Sequence, residues 1–165
     1  MITTSFLTTY FTKTSTTTQY FAGYHMSSNE EIYNKIQESL QAARDALQLK
    51  TRITSDIVEV LSMLSELTND AVSFEIKDNS GNEPSYRFCQ KLIYIEKKSN
   101  SYYSFVLCGY SIDELSGYPV SLEDENKIMT CNDDMSLKTA ISELITDKNI
   151  AMKIINLISA DDIPF

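Results

Sequence analysis

Ile53-Thr54-Ser55-Asp56-Ile57-Val58-Glu59-Val60-Leu61-Ser62-Met63-Leu64-Ser65-Glu66-Leu67 and, after a short break, Val72-Ser73-Phe74-Glu75-Ile76 hold the change of pattern that decides the fold. In the first stretch Ile53, Ile57, Val60, Leu64, Leu67 and then Ala71 recur at alternating steps of four and three, the repeat of a helix with one apolar seam. In the second, apolar and polar residues alternate, which is the pattern of a half-buried strand. A helical run that stops near Asn69 and a sheet that starts at Val72 make the fold class α+β.

Upstream, Ser28 with Glu31 three residues later has the form of a capping box. Ile36, Leu40, Ala43 and Leu47 then repeat at the same alternating steps. Six residues separate Leu47 from Ile53 where an unbroken seam needs three, so the spacing predicts one long helix over 28–70 with a three-residue stammer or a bend near Lys50 to Arg52. A helix of that length runs on the order of 60 Å. Its apolar residues outrun what a small domain can cover, which predicts a homodimer through the long helix.

Downstream the periodicity stays at two. Val72 to Ile76 is the first strand, and Lys77 to Ser85, centred on Asp78-Asn79-Ser80-Gly81, is its turn. Tyr86 to Lys97 and Tyr102 to Tyr110 are expected to pair about Lys98-Ser99-Asn100-Ser101, and Pro119 to Glu123 with Lys127 to Cys131 about Asp124-Glu125-Asn126. The result is an antiparallel meander of about five strands. Two short helices follow, one with Leu137, Ala140, Ile141, Leu144 and Ile145 on its apolar face and Asp134 or Ser136 as N-cap, the next with Ile150, Ile154, Leu157 and Ile158 and Asp147 at its start.

The domain organisation expected is therefore a disordered leader or non-native extension over 1–27, a single α+β domain over 28–158, and a terminal peptide over 159–165. The leader is Ser/Thr-rich and carries Lys13 as its only formally charged side chain. The formal charge of the chain is −9, which argues against a surface that grips nucleic acid everywhere, because phosphate binding concentrates Lys and Arg. Cys89, Cys108 and Cys131 are widely spaced, with no CxxC pair and one His in the chain, a description of reduced thiols in a cytoplasmic protein. No apolar run approaches the roughly 18 residues of a membrane span.

Two internal regions stand out by charge. Between Tyr86 and Tyr110 the net charge is +3, and Arg87, Lys91, Lys97 and Lys98 are interleaved with Tyr86, Phe88, Tyr94, Tyr102 and Tyr103. Cations for phosphates and rings for bases suit single-stranded DNA. Strand parity puts Tyr86, Phe88 and Tyr94 on one face and Arg87, Lys91 and Lys97 on the other. Single-stranded DNA is therefore a partner of this hairpin only if a bulge near Gln90 merges the two sets; without one the pattern reads as a Tyr-rich core face and a solvated basic face. From Ser111 to Ser136 the net charge is −6, which reads as a solvated acidic hairpin without the spacing of a calcium loop. No metal or cofactor is expected. No phosphate loop and no nucleophile with an identifiable base is present, so the chain is read as non-enzymatic.

The last stretch is Asp161-Asp162-Ile163-Pro164-Phe165. Two carboxylates, a stiff Ile-Pro step and a terminal ring bearing the free α-carboxylate form a compact anionic hook, suited to a pocket apolar inside and basic at its rim. This string resembles the C-terminal tip of bacterial single-stranded DNA-binding proteins, over five residues and flush with the terminus. The resemblance implies that Phe165 and its carboxylate are the anchor, with Ile163 and Pro164 beside it and Asp161 and Asp162 as electrostatic support. The partners it implies are replication, recombination and repair enzymes that read such tips. It differs from that family in having only Ser159 and Ala160 between the tip and an apolar helix, and the family's oligonucleotide-binding barrel is not recognisable. The function expected is a DNA-metabolism accessory protein of the kind phages and mobile elements carry. The alternatives are an acidic inhibitor, immunity or DNA-mimic protein, and a small acidic secretion chaperone.

Overall fold

The computed structural model describes residues 15–160, with side chains from Ser28 onward. Its elements are α1 (Ser15–Leu67), β1 (Val72–Asp78), β2 (Lys91–Lys97), β3 (Asn100–Asp113), β4 (Gly117–Glu123), β5 (Ile128–Cys131), α2 (Asp134–Thr146) and α3 (Lys148–Ser159). A long N-terminal helix, a five-stranded antiparallel sheet and two short C-terminal helices are the α+β arrangement that the pattern implied. The chain divides into two units, Met1–Arg44 and Asp45–Phe165.

In the first unit α1 already begins at Ser15, so Ser28 and Glu31 lie inside the helix and not at its start. A capping box ends a helix only where the chain upstream leaves helical geometry. No Pro lies between Ser15 and Ser28, and Gly23 costs only about 1 kcal/mol, so nothing stops the helix there. The expected leader thus contains helix from Ser15 onward, and residues 1–14 lie outside the described residues.

In the second unit α1 buries Ile53, Ile57, Leu61 and Leu64, with Val60 half-buried and Leu67 82% exposed. This corrects the expected seam, which used Val60 and Leu67 and left out Leu61. A helix on a sheet needs a broader apolar stripe than a coiled-coil seam, and an ideal helix drifts about 20° per heptad from a 3.5 repeat. Ile57, Leu61 and Leu64 continue the steps of Ile36, Leu40, Ala43 and Leu47 by way of Lys50 and Thr54. No stammer is needed, and Lys50 to Arg52 are α-helical. Two polar residues on the repeat hid its continuity. The helix stops where Asn69 and Asp70 turn left-handed, at φ 52° and 61°, and Asp70 N–H donates to the Ser65 carbonyl at 2.8 Å.

The strands follow one another in space as in sequence, β1-β2-β3-β4-β5, each antiparallel to the next. Phe74 stands opposite Ile95 and Ile76 opposite Ile93, while Tyr110 meets Leu122 and Val120 meets Cys131. These residues join Ile53, Ile57 and Leu61 of α1, Leu137 and Ile141 of α2, and Ile154 and Leu157 of α3 in one core. One face of the sheet therefore carries all three helical segments. Asp133 caps α2, accepting from Ser136 N at 2.7 Å, so the cap falls one residue before Asp134 and Ser136 serves as its partner at N3. Asp147 caps α3 as expected.

The expected strand from Tyr86 is shorter, because β2 begins only at Lys91. The preceding loop is held by polar bonds of its own. Asn79 Nδ2 donates to the carbonyls of Tyr86 at 2.6 Å and Cys89 at 3.1 Å, and the Glu123 carboxylate accepts from Arg87 N at 3.3 Å and Phe88 N at 3.0 Å. Glu123 is only 7% exposed, so the acidic hairpin is not solvated throughout.

Candidate functional site

The terminal peptide is rooted where α3 ends. Ala160 leaves the helix in extended geometry, with φ −61° and ψ 125°, and its carbonyl accepts a hydrogen bond from Lys97 Nζ at the end of β2. Asp161, Asp162, Ile163, Pro164 and Phe165 lie outside the described residues. Five residues span at most about 18 Å when fully extended.

The residues expected to meet single-stranded DNA are not brought to one surface. Lys91 sits on the helix-bearing side, paired with Asp78 across the strand gap at 2.8 Å, and Lys97 is turned to Ala160. Tyr103 packs at the edge of the core. Lys98 lies 3.4 Å from Asp70. Tyr94 faces the other side, where Lys77 Nζ stands 4.9 Å from its ring centroid. Lys77 is itself paired with Glu75 at 2.7 Å and approaches Glu96 at 3.7 Å. The hydrogen bond from Lys77 holds the Glu75 carboxyl below its usual range, whereas burial pushes that of Glu96 up, with the nearby Glu75 adding to the shift. A ring flanked by two carboxylates is a poor seat for a nucleotide, whose phosphate they repel. Phe88 and Tyr102 are exposed at 77% and 90%, Tyr86 is buried, and Arg87 Nε donates to the Pro84 carbonyl at 3.0 Å.

The structure assembles one feature that sequence reasoning missed. The β4–β5 turn and the α2–α3 junction enclose a cleft of about 400 Å³ that includes Tyr86, Asp124, Glu125, Glu143, Asp147 and Lys153. Four carboxylates from segments far apart in the chain meet there. Two of them have internal work: Asp124 Oδ1 accepts from Asn126 N and Lys127 N, and Asp147 Oδ1 accepts from Asn149 N and Ile150 N. Glu125 pairs with Lys153 at 3.1 Å. Burial, followed by the neighbouring Glu125, pushes the Tyr86 hydroxyl well above its ordinary range, so it stays a proton donor throughout the neutral range. No short-range signal in the sequence places 124–127 beside 143–150, because that proximity exists only once α2 and α3 lie on the sheet.

The three thiols are free, and burial pushes Cys108 up to about 12, which keeps it protonated and unreactive. Among the described residues no group of three His, Cys, Asp or Glu side chains has the arrangement to hold a metal ion, and no helix is long and apolar enough to cross a membrane. Comparison with protein-family models, with curated proteins and with solved structures finds no match.

Proposed function

We propose that this protein is a non-enzymatic accessory factor of DNA replication, recombination and repair, which docks on the enzymes of those processes through Asp161, Asp162, Ile163, Pro164 and Phe165. The observation that carries the reading is the terminal string itself, in which ring, carboxylate and acid pair stand in the order that a basic-rimmed apolar pocket accepts. It is supported by the site of attachment. Helix α3 finishes at Ser159 and Lys97 fixes the Ala160 carbonyl, so the peptide departs from a defined point. The divided placement of the cations and rings between Tyr86 and Tyr110 is the reason this proposal gives that hairpin no part in the contact.

The test uses the full chain and a purified enzyme that reads such tips. Deleting Phe165 removes the ring and relocates the carboxylate. As a buried aromatic anchor is worth about 2 kcal/mol or more, the affinity should fall by at least about 30-fold. Wild-type protein that fails to bind, or binding that ignores the deletion, refutes the proposal. The cleft acids favour one rival, an inhibitor that presents carboxylates to a basic groove. Under that rival the deletion is silent, and Glu125→Lys with Glu143→Lys abolishes binding.

A further inference from the structure

The part of α1 in the first unit carries an apolar stripe that is open to solvent. Every residue from Ser28 to Arg44 is exposed, and Ile32, Tyr33, Ile36 and Leu40 keep between 55% and 65% of their surface accessible. Tyr33, Ile36, Leu40 and Ala43 recur at steps of three, four and three, which are the a and d positions of a heptad. Charge sits elsewhere. Glu31, Lys35 and Glu38 lie on the outer face, with Lys35 Nζ 2.8 Å from Glu31 as an i,i+4 pair, so the seam is left apolar. Helices without a core of their own depend on such a face finding a partner.

We infer that the partner is the same segment of a second copy, and that the two helices run antiparallel. The side chains decide the direction. In a parallel pair in register Tyr33 opposes Tyr33 and Ala43 opposes Ala43, so one layer is crowded and another hollow. The flanking pairs would then be Ile32 with Gln37 and Ser39 with Arg44, none of them ionic. Reversing one helix about a two-fold axis at Glu38 sets Tyr33 against the Ala43 of the second copy and Ile36 against its Leu40. Large meets small in each outer layer. The same reversal brings Glu30 within about two residues' rise, roughly 3 Å along the axis, of the opposite copy's Arg44, and does so twice by symmetry. Charge and volume therefore select the same orientation. This deepens the homodimer expected from the sequence and is independent of the terminal peptide.

Full-length variants carrying Ile36→Cys or Leu40→Cys test the arrangement under mild oxidation, with the cross-linked peptides identified by mass spectrometry against the wild-type thiol background. The antiparallel pair gives an Ile36→Cys to Leu40→Cys disulfide only when the two variants are mixed. Each variant linking to itself in isolation, at the same position, overturns the antiparallel assignment but keeps the dimer. Sedimentation equilibrium showing a monomer at tens of micromolar overturns the dimer as well. Charge reversal gives a second readout. Glu30→Arg alone or Arg44→Glu alone raises the dimer dissociation constant by about fivefold, and the double reversal restores it. Single reversals without effect, or a double variant that is not rescued, count against the pairing.

Discussion

Truncating Leu61 and Leu67 to Ala separates the stripe that α1 buries from the one its spacing suggested. Leu61 is 0% exposed and packs in the core with Ile57, Leu64 and the sheet, whereas Leu67, about 1.7 turns on, is 82% exposed. Leu and Ala differ little in helix propensity, so any large loss reports on packing. Removing a fully buried Leu forfeits about 1.5–3 kcal/mol of transfer free energy, and the unfilled space raises the cost to about 2–5 kcal/mol. Leu67→Ala should stay within about 0.5 kcal/mol of wild type. Urea unfolding, followed by far-ultraviolet circular dichroism and by the fluorescence of the ten tyrosines, measures both in a chain that has no Trp. With a slope of about 1–3 kcal/mol per molar, a loss near 3 kcal/mol lowers the Leu61→Ala midpoint by about 1–3 M at unchanged slope. Equal losses, or a larger loss at Leu67, would refute the assignment of the buried face and restore the Val60 and Leu67 seam.

Two further perturbations probe the sheet and its helix cap. A Cβ on Gly109 would sit 2.2 Å from Cys89 Sγ and 2.7 Å from Cys89 Cβ, so Gly109→Ala should cost about 1–3 kcal/mol and Cys89→Gly in the same chain should recover most of it, as read from the two urea midpoints. The backbone N–H of Ser136, and then its side chain, hold the Asp133 carboxyl below its ordinary value of 3.8. A depressed folded-state value stabilises the fold above 3.8, and the contribution is lost as pH falls through the lower native value. Asp133→Asn keeps the cap without the ionisation, so the acid limb of its stability curve between about pH 2 and pH 5 should be shallower than that of wild type. An unchanged limb would remove Asp133 from the account.

The meander was readable because the strand signal is local. Alternation in Val72 to Ile76 and around Tyr94 and Tyr110, broken by polar turns, specifies paired strands without reference to anything distant. The two closing helices were readable for the same reason, down to Asp147 as a cap. The start of α1 was not, because a capping box at Ser28 is equally consistent with a helix that passes through it. The beginning of β2 was not legible either. Whether Tyr86 to Gln90 join the sheet depends on Glu123, thirty-odd residues away, accepting two backbone N–H groups in a buried position. A carboxylate in an acidic run reads as solvated until the fold removes its water.

By itself the sequence determined the element order, the antiparallel pairing of neighbours and the chemistry of the last five residues, since each depends on periodicity or on covalent position. Strand parity already parted Tyr94 from Lys91 and Lys97, but tertiary structure alone decided which side of α1 is buried, which face of the sheet the helices cover, and which acids meet at the cleft between the β4–β5 turn and the α2–α3 junction. The reason is physical. A spacing of three and four admits more than one face of a helix, and only the surface that packs against it, here a sheet wider than a partner helix, chooses among them.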